Sequence, residues 1–448
     1  MPADDRLSTQ SDKKDGKTMR KTVSIRTLGA AVALALPLAA AAQSAAPSAD
    51  ALMKKLEALT QELENVKAEL QKVKQQQTVQ AQQTQTAAPA AAARSQEPDT
   101  ALTAYGEINY NRPTKDSSAA QTDVRRFVLG YQHRFDAQTR VVTELEVEHA
   151  VASKEDDGEV EVEQAYVEHR FSADAPWGMR AGLFLMPVGL LNLNHEPTAY
   201  YGVERNFVET AIIPTTLREA GLQLFGEHAN GLSWAAGVST SPNLQKWDPT
   251  SGEGAASPLG AIHQEGQLAA SKGLTWFGAL DWRGMPGLQL GASALAGRVA
   301  HGQSGFAAPD ARYTLWDVHA RWQPGAWDFA ALYARGGFAN VAPLNASFAG
   351  AAFLVPKRFD GWYLQGAYRF ALGGEMAIAP FARYERFNTG RGFDGVDAAA
   401  YPAYPTEAVT TVGANFYLNR NVVVKADYQR FRQNQDANRI NLGLGWSF

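Results

Sequence analysis

From residue 101 to the carboxyl terminus, apolar and polar side chains alternate in segment after segment, the period-two signature of β-strands. In RINLGLGWSF at the end, Ile440, Leu442, Leu444, Trp446 and Phe448 share one face, and Arg439, Asn441, Gly443, Gly445 and Ser447 the other. Trp316, Val318, Ala320 and Trp322 stand against Asp317, His319 and Arg321; Leu274, Trp276, Leu280 and Trp282 stand against Thr275, Asp281 and Arg283. Such an apolar face needs cover. In water a second sheet or helices would supply it, and no helical pattern after residue 101 could do so. In a bilayer, lipid covers the apolar face, aromatics gather at the interfaces and the polar face lines the lumen.

The expected fold is therefore all-β, a transmembrane antiparallel β-barrel of about 16 strands, preceded by a short α-helical coiled coil. Candidate strands run from 103–111 to 437–448. The one at 265–283 reads either as a single long strand or as a loop and a short strand. Short connections such as FDAQT, RGMPG, QPGA and NRN alternate with long polar ones, as in barrels with short periplasmic turns and long external loops.

Composition removes other classes. Among 448 residues there is no Cys and the net charge is −4, which excludes disulfide scaffolds, thiolate metal centres and a broad basic field for nucleic acid. No Walker loop, nucleophile elbow, HExxH or GxGxxG occurs, and the eight His are scattered, so neither an enzyme nor a cofactor nor a metal site is expected. The acidic run KEDDGEVEVE at 154–163 reads as a solvated loop rather than a calcium site, because it lacks the positional pattern of a calcium loop.

The amino-terminal 100 residues divide into three parts. Residues 1–42 hold upstream residues and a secretory signal peptide: Arg20, Lys21 and Arg26 precede an apolar run from Leu28 to Ala42, and translation is expected to start at Met19. In 50–77, Leu52, Leu56, Leu59, Leu63, Val66, Leu70 and Val73 follow heptad spacing, with Glu62, Glu69, Lys67 and Lys74 flanking them. That predicts a parallel periplasmic coil, with Val at d leaning towards three or four strands; a single amphipathic helix is the alternative. Residues 78–100, rich in Gln, Ala and Thr, read as a flexible linker.

The longest predicted connection, 188–217, combines Tyr200, Tyr201, Phe207, Ile212 and Ile213 with His195, Glu196, Glu204, Arg205 and Glu209, and Arg218 follows it. Large apolar residues in a loop suggest that it folds into the lumen, so those six polar residues are the candidate pore constriction; a solvated surface loop is the alternative. Alternation also nominates a lumen wall: Arg140, Arg180, Arg283, Arg321, Arg369, Arg383 and Arg439, with Glu144, Glu146 and Glu148 and, on the next strand, Glu161 and Glu163. These could coordinate anions or pair across neighbouring strands. Residues 101–448 hold 23 Arg and 6 Lys against 35 Asp plus Glu, so the lumen is expected to carry both signs.

The motifs QAYVEHRF, GMRAGLFLMPVGLLN and HEPTAYYGVERNFVETAIIPTTLREAGLQLFG, between Gln164 and Gly226, resemble the phosphate-selective porin O/P family. The resemblance implies a trimeric, sixteen-stranded outer-membrane porin. It further implies that the terminal Phe448 is an assembly signal for the barrel-assembly machinery. The expected function is passive diffusion of small hydrophilic solutes, with anions such as phosphate among the candidates. Expected partners are outer-membrane lipid, two further copies of the chain and the solutes. The alternative is a barrel anchor that tethers the outer membrane to peptidoglycan through its coiled coil.

Overall fold

The computed structural model describes Gln61, 99–153, 158–172 and 175–448. The signal peptide, the heptad positions and the linker up to residue 98 lie outside the described residues, as do Lys154 to Asp157 of the acidic run. The strands are β1 Thr100–Pro113, β2 Gln121–Arg134, β3 Thr139–Glu148, β4 Val160–Arg170, β5 Trp177–Leu185, β6 Arg218–Glu227, β7 Leu232–Thr240 and β8 Leu274–Met285. They continue as β9 Leu288–Arg298, β10 Arg312–Trp322, β11 Trp327–Ala339, β12 Phe359–Tyr368, β13 Phe370–Gly373, β14 Met376–Asn388, β15 Glu407–Tyr417, β16 Val422–Phe431 and β17 Arg439–Ser447.

Each strand pairs antiparallel with its chain neighbours, and β1 closes the sheet on β17. Segments β12 and β13 both pair with β14 and are interrupted only at Arg369, so the seventeen segments make a closed barrel of sixteen passes. Closure leaves no open edge, which is what a sheet in hydrocarbon requires. The seam is completed by the last residue: Ala104 and Phe448 exchange two backbone hydrogen bonds of 3.0 and 2.9 Å, while the Phe448 side chain is exposed. Deleting Phe448 removes both bonds, each worth about 1 kcal/mol. The expected result is a lower temperature of heat unfolding on gels, and an unchanged temperature would show that the seam does not depend on it.

The alternation places side chains as the sequence suggests. Trp276, Leu280, Trp316, Val318, Ile440, Leu442 and Leu444 are exposed on the outer wall, while Thr275, Asp317, His319 and Asn441 are buried inside. Of the two readings of 265–283, the loop followed by a strand is the one that forms. Residues 265–273 are loop, because Glu265, Gly266 and Leu268 adopt φ of 52°, 73° and 47°, a left-handed region that no strand can pass through. The connection 241–273 is consequently one residue longer than 186–217.

A uniformly polar inner face is also not what forms. On β8 to β12, the inward Phe277, Leu295, Leu315, Leu332 and Phe359 build an apolar core inside the barrel with Met186, Ile212 and Ile213 of one long loop and Leu244, Leu259 and Ile262 of the next. Burying each such side chain contributes about 1.5–3 kcal/mol. This part of the lumen is therefore packed, and the long loops are held by the same force that holds a soluble core.

Candidate functional site: the internal loop and the cavities beside it

The segment 186–217 lies inside the barrel and is bonded around its inner wall. On β1, Glu107 accepts from Tyr200 Oη at 2.7 Å, and Asn111 donates to Glu204 at 2.8 Å. On β10, Asp317 accepts from Gly189 N at 3.2 Å, and on β11, Asp328 accepts from Tyr201 Oη at 3.2 Å. Arg383 of β14 donates to the carbonyls of Tyr201 and Glu204 at 3.1 and 3.3 Å, and Glu385 accepts from Phe207 N at 2.6 Å. Asn415 of β15 accepts from Gly202 N at 3.1 Å, and Asp427 of β16 accepts from Val203 N at 2.6 Å. Irregular backbone needs such partners because its amides have no ladder to pair with. Lys425 adds a cation–π contact, its ammonium 3.5 Å from the Tyr200 ring centroid.

The six residues expected at a constriction divide by environment. Glu204 lines an external cavity of ≈ 540 Å³ with Asn109, Asn111, Asp123, Arg125 and His149. Arg218 is bonded to Glu161 at 2.5 Å and Glu265 at 2.9 Å and borders a second, acidic cavity. Glu196 is half-buried. His195, Arg205, Glu209 and Arg218 are only 4%, 6%, 4% and 3% exposed, so they correct the expectation that all six line an open pore, although Arg218 borders the acidic cavity. His195 Nε2 lies 2.8 Å from Glu163 and 2.7 Å from Tyr105 Oη, and Arg205 donates to the hydroxyls of Thr215 and Thr216. Glu209 accepts from the amides of Leu190 and Leu191 at 2.6 and 2.7 Å, from Asn206 at 2.8 Å and from Tyr363 Oη at 3.0 Å. Burial pushes its carboxyl above the ordinary range, and the bonds from Asn206, Leu191, Tyr363 and Leu190 pull the other way. Gly189, at φ 66°, makes that approach feasible, since a Cβ there would meet a Glu209 carboxylate oxygen at 2.5 Å.

The wall residues pair across strands more than they stand free. Glu168 of β4 lies between its register partners Arg140 and Arg180, at 2.8 and 2.7 Å. Arg126 of β2 contacts Glu107 at 2.7 Å and Glu146 at 3.6 Å. Glu144 accepts from Gln164, Arg439 donates to Gln429, and Arg383 is consumed in holding the loop. At the short-turn end, Arg321 forms two bonds to Asp328 at 3.0 and 2.6 Å, and Arg283 stands 3.9 Å from Asp281. Arg369 stacks 4.2 Å from the Tyr417 ring centroid. A cavity of ≈ 610 Å³ opens there, lined by Arg321, Asp328, Arg369, Tyr417 and the loop residues Thr198 and Tyr201. The internal loop thus has a polar cavity on its external side and another on its short-turn side.

The acidic cavity is the element that the sequence did not locate. Glu146, Glu148, Glu159, Glu161 and Glu265 line it together with Arg218, His263, Thr215 and Thr216. It joins β3, β4 and β6 to the two long loops. Burial alone would raise the Glu265 carboxyl, but His263 and Arg218 outweigh it and hold it below the ordinary range. Glu148 and Glu159 form no ion pair among the described residues. Only the two-loop packing brings Glu265 beside Glu148, Glu159 and Glu161, and no spacing in the chain signals it.

No protein-family model matches the chain. An uncharacterized protein of Aquifex aeolicus (strain VF5) is 30% identical over 356 residues, spanning 77% of this chain and 79% of that protein. Among solved structures, Salmonella typhi OmpF in complex with daunomycin superposes with a TM-score of 0.55 at 12% identity, over 78% of this chain and 97% of that one. The outer membrane channel DcaP of Acinetobacter baumannii gives 0.50 at 11% identity, over 78% and 97%. These likenesses and the closed sixteen-pass sheet establish the porin fold, and the chain belongs to one family with the Aquifex aeolicus protein.

Proposed function

We propose that the protein is an outer-membrane porin through which small hydrophilic solutes diffuse passively. The observation that carries this reading is the internal loop 186–217, hydrogen-bonded to the inner wall and flanked by polar cavities towards both mouths. The outward band of apolar side chains suits lipid on all sides. A homotrimer, joined by the heptad segment, is part of the proposal, as is recognition of Phe448 by the barrel-assembly machinery.

The motif resemblance favours phosphate and other anions. The two cavities on the long-loop side favour the opposite sign, Glu146, Glu148, Glu159, Glu161 and Glu265 facing one Arg and one His and Asp123 and Glu204 facing Arg125 and His149, while the short-turn cavity sets Arg321 and Arg369 against Asp328. Facing carboxylates concentrate cations, so the pore is assigned a preference for cationic or neutral solutes. In planar bilayers, purified protein is expected to insert in groups of three equal conductance steps with a cation-selective reversal potential. Absence of steps would replace the channel with a sealed anchor; an anion-selective potential would restore the phosphate reading.

A further inference from the structure

The outer wall carries a basic cluster where a lipid-facing surface should carry none. Arg298 of β9 and Arg312 of β10 are direct register partners, and both are exposed on the outward face, since their neighbours Gly297 and Tyr313 turn inward. Like charges directly opposite one another destabilise a strand pair. Neither arginine has a carboxylate partner among the described residues. Arg335 of β11 is exposed on the same face and is likewise without an ion pair among the described residues; its register partner is Trp316 of β10.

Beside them opens a cavity of ≈ 630 Å³ lined by Arg312, Arg335, Lys357, Arg358 and Arg391, with Asp394 the one carboxylate among its described lining residues. Lys357 pairs with Asp394 at 3.0 Å, and Arg358 and Arg391 share Asp360 at 3.5 and 2.7 Å. The two acids leave Arg312, Arg335 and Arg298 uncompensated, together with one charge of the Arg358–Arg391 pair.

Position in the membrane decides what could neutralise this charge. Trp316 packs on Tyr333, with ring centroids 5.4 Å apart, and outward aromatics of this kind sit at the level of lipid headgroups. Arg335 lies at that level. Arg312 lies four residues nearer the long-loop end, beyond the hydrocarbon. Arginine forks bind phosphate oxygens in pairs, and their stems lie along apolar surface while the heads reach the interface.

We propose that this cavity binds the phosphate-bearing headgroup of an outer-leaflet lipid, with Arg312 and Arg335 gripping the phosphate and Arg298 beside Arg312. The inference rests on the barrel lying in an outer membrane, but not on whether its lumen conducts. The cluster faces away from the lumen, so a permeating solute does not meet it, and a lipid anchored there places its acyl chains against the apolar wall below.

The test adds lipid back to delipidated full-length protein and counts bound molecules by native mass spectrometry. The probes are a diphosphorylated glucosamine saccharolipid of the lipid A type, its dephosphorylated form and inorganic phosphate. The wild type is expected to bind the diphosphorylated lipid, and Arg298→Gln/Arg312→Gln/Arg335→Gln to bind it on the order of a hundred-fold more weakly, three surface cations being lost. The single-channel properties of the variant should match the wild type. Equal binding of the dephosphorylated lipid by the wild type would overturn the proposal without any variant. Displacement of the lipid by an equal concentration of inorganic phosphate would reassign the cavity to the free anion, and undiminished binding by the triple variant would remove these arginines from it.

Discussion

Replacing Glu209 with Ala is expected to loosen the internal loop, lowering the barrel's resistance to unfolding and making single-channel current larger and noisier. Four donors converge on this one carboxylate: two consecutive backbone amides, Asn206 and Tyr363. None can turn to bulk water, because the site is only 4% exposed. Leaving buried donors unmade costs about 1–3 kcal/mol for each group, so a total of about 4 kcal/mol or more is lost from the loop.

Two of those donors, the Leu190 and Leu191 amides, fix the first bend of the loop, and Tyr363 ties its far part to β12. The loss therefore falls on the loop's position rather than on the strand ladder. Glu209→Gln keeps one acceptor oxygen but turns an amide NH2 towards donors, so it should fall between wild type and Glu209→Ala. The checks are unfolding rate in detergent and single-channel recording. If Glu209→Ala leaves both unchanged, the loop is held by its apolar contacts alone and the carboxylate is incidental.

The strand pattern was legible because lipid on one side and polar groups on the other impose a strict alternation on each pass. Legibility fell where that rule stops. Leu268 looks like one more apolar strand position, yet it is fully exposed in a loop whose neighbours adopt left-handed backbone. On β8 to β12 the inward Phe277, Leu295 and Leu315 pack on loops instead of facing water, so polar and apolar residues share the inner face there, and alternation alone does not tell packed lumen from open lumen.

The candidate site was half legible for a related reason. The loop's excess of Tyr, Phe and Ile signalled that it would be buried, and it is. Which of its charged residues would face open space depended on partners far along the chain: Glu163 for His195, Tyr363 for Glu209. The pairing of Arg140 and Arg180 with Glu168 needed strand register as well as strand identity, and register is set by turns and bulges such as the shift between Glu144 and Leu145.

Neutralising Glu148 and Glu159 is expected to change selectivity most among lumen substitutions. Both line the acidic cavity, and neither has an ion-pair partner among the described residues, whereas Glu161 and Glu265 are committed to Arg218. A unit charge acting on an ion at 4 Å in water contributes about 1 kcal/mol, or roughly a five-fold bias in local cation concentration before screening. Glu148→Gln/Glu159→Gln should therefore lower the cation-to-anion permeability ratio about two- to five-fold at low salt. The change should fade as ionic strength approaches 1 M, where the screening length shrinks to about 3 Å. Each substitution preserves side-chain size at a partly or fully exposed position, so insertion and barrel stability should stay as in the wild type. Reversal potentials under a salt gradient, read at several ionic strengths, give the answer. A ratio that does not move would mean that permeating ions bypass this cavity, and a change that persists undiminished at high salt would mean that the two carboxylates act on the shape of the pore instead of on its field.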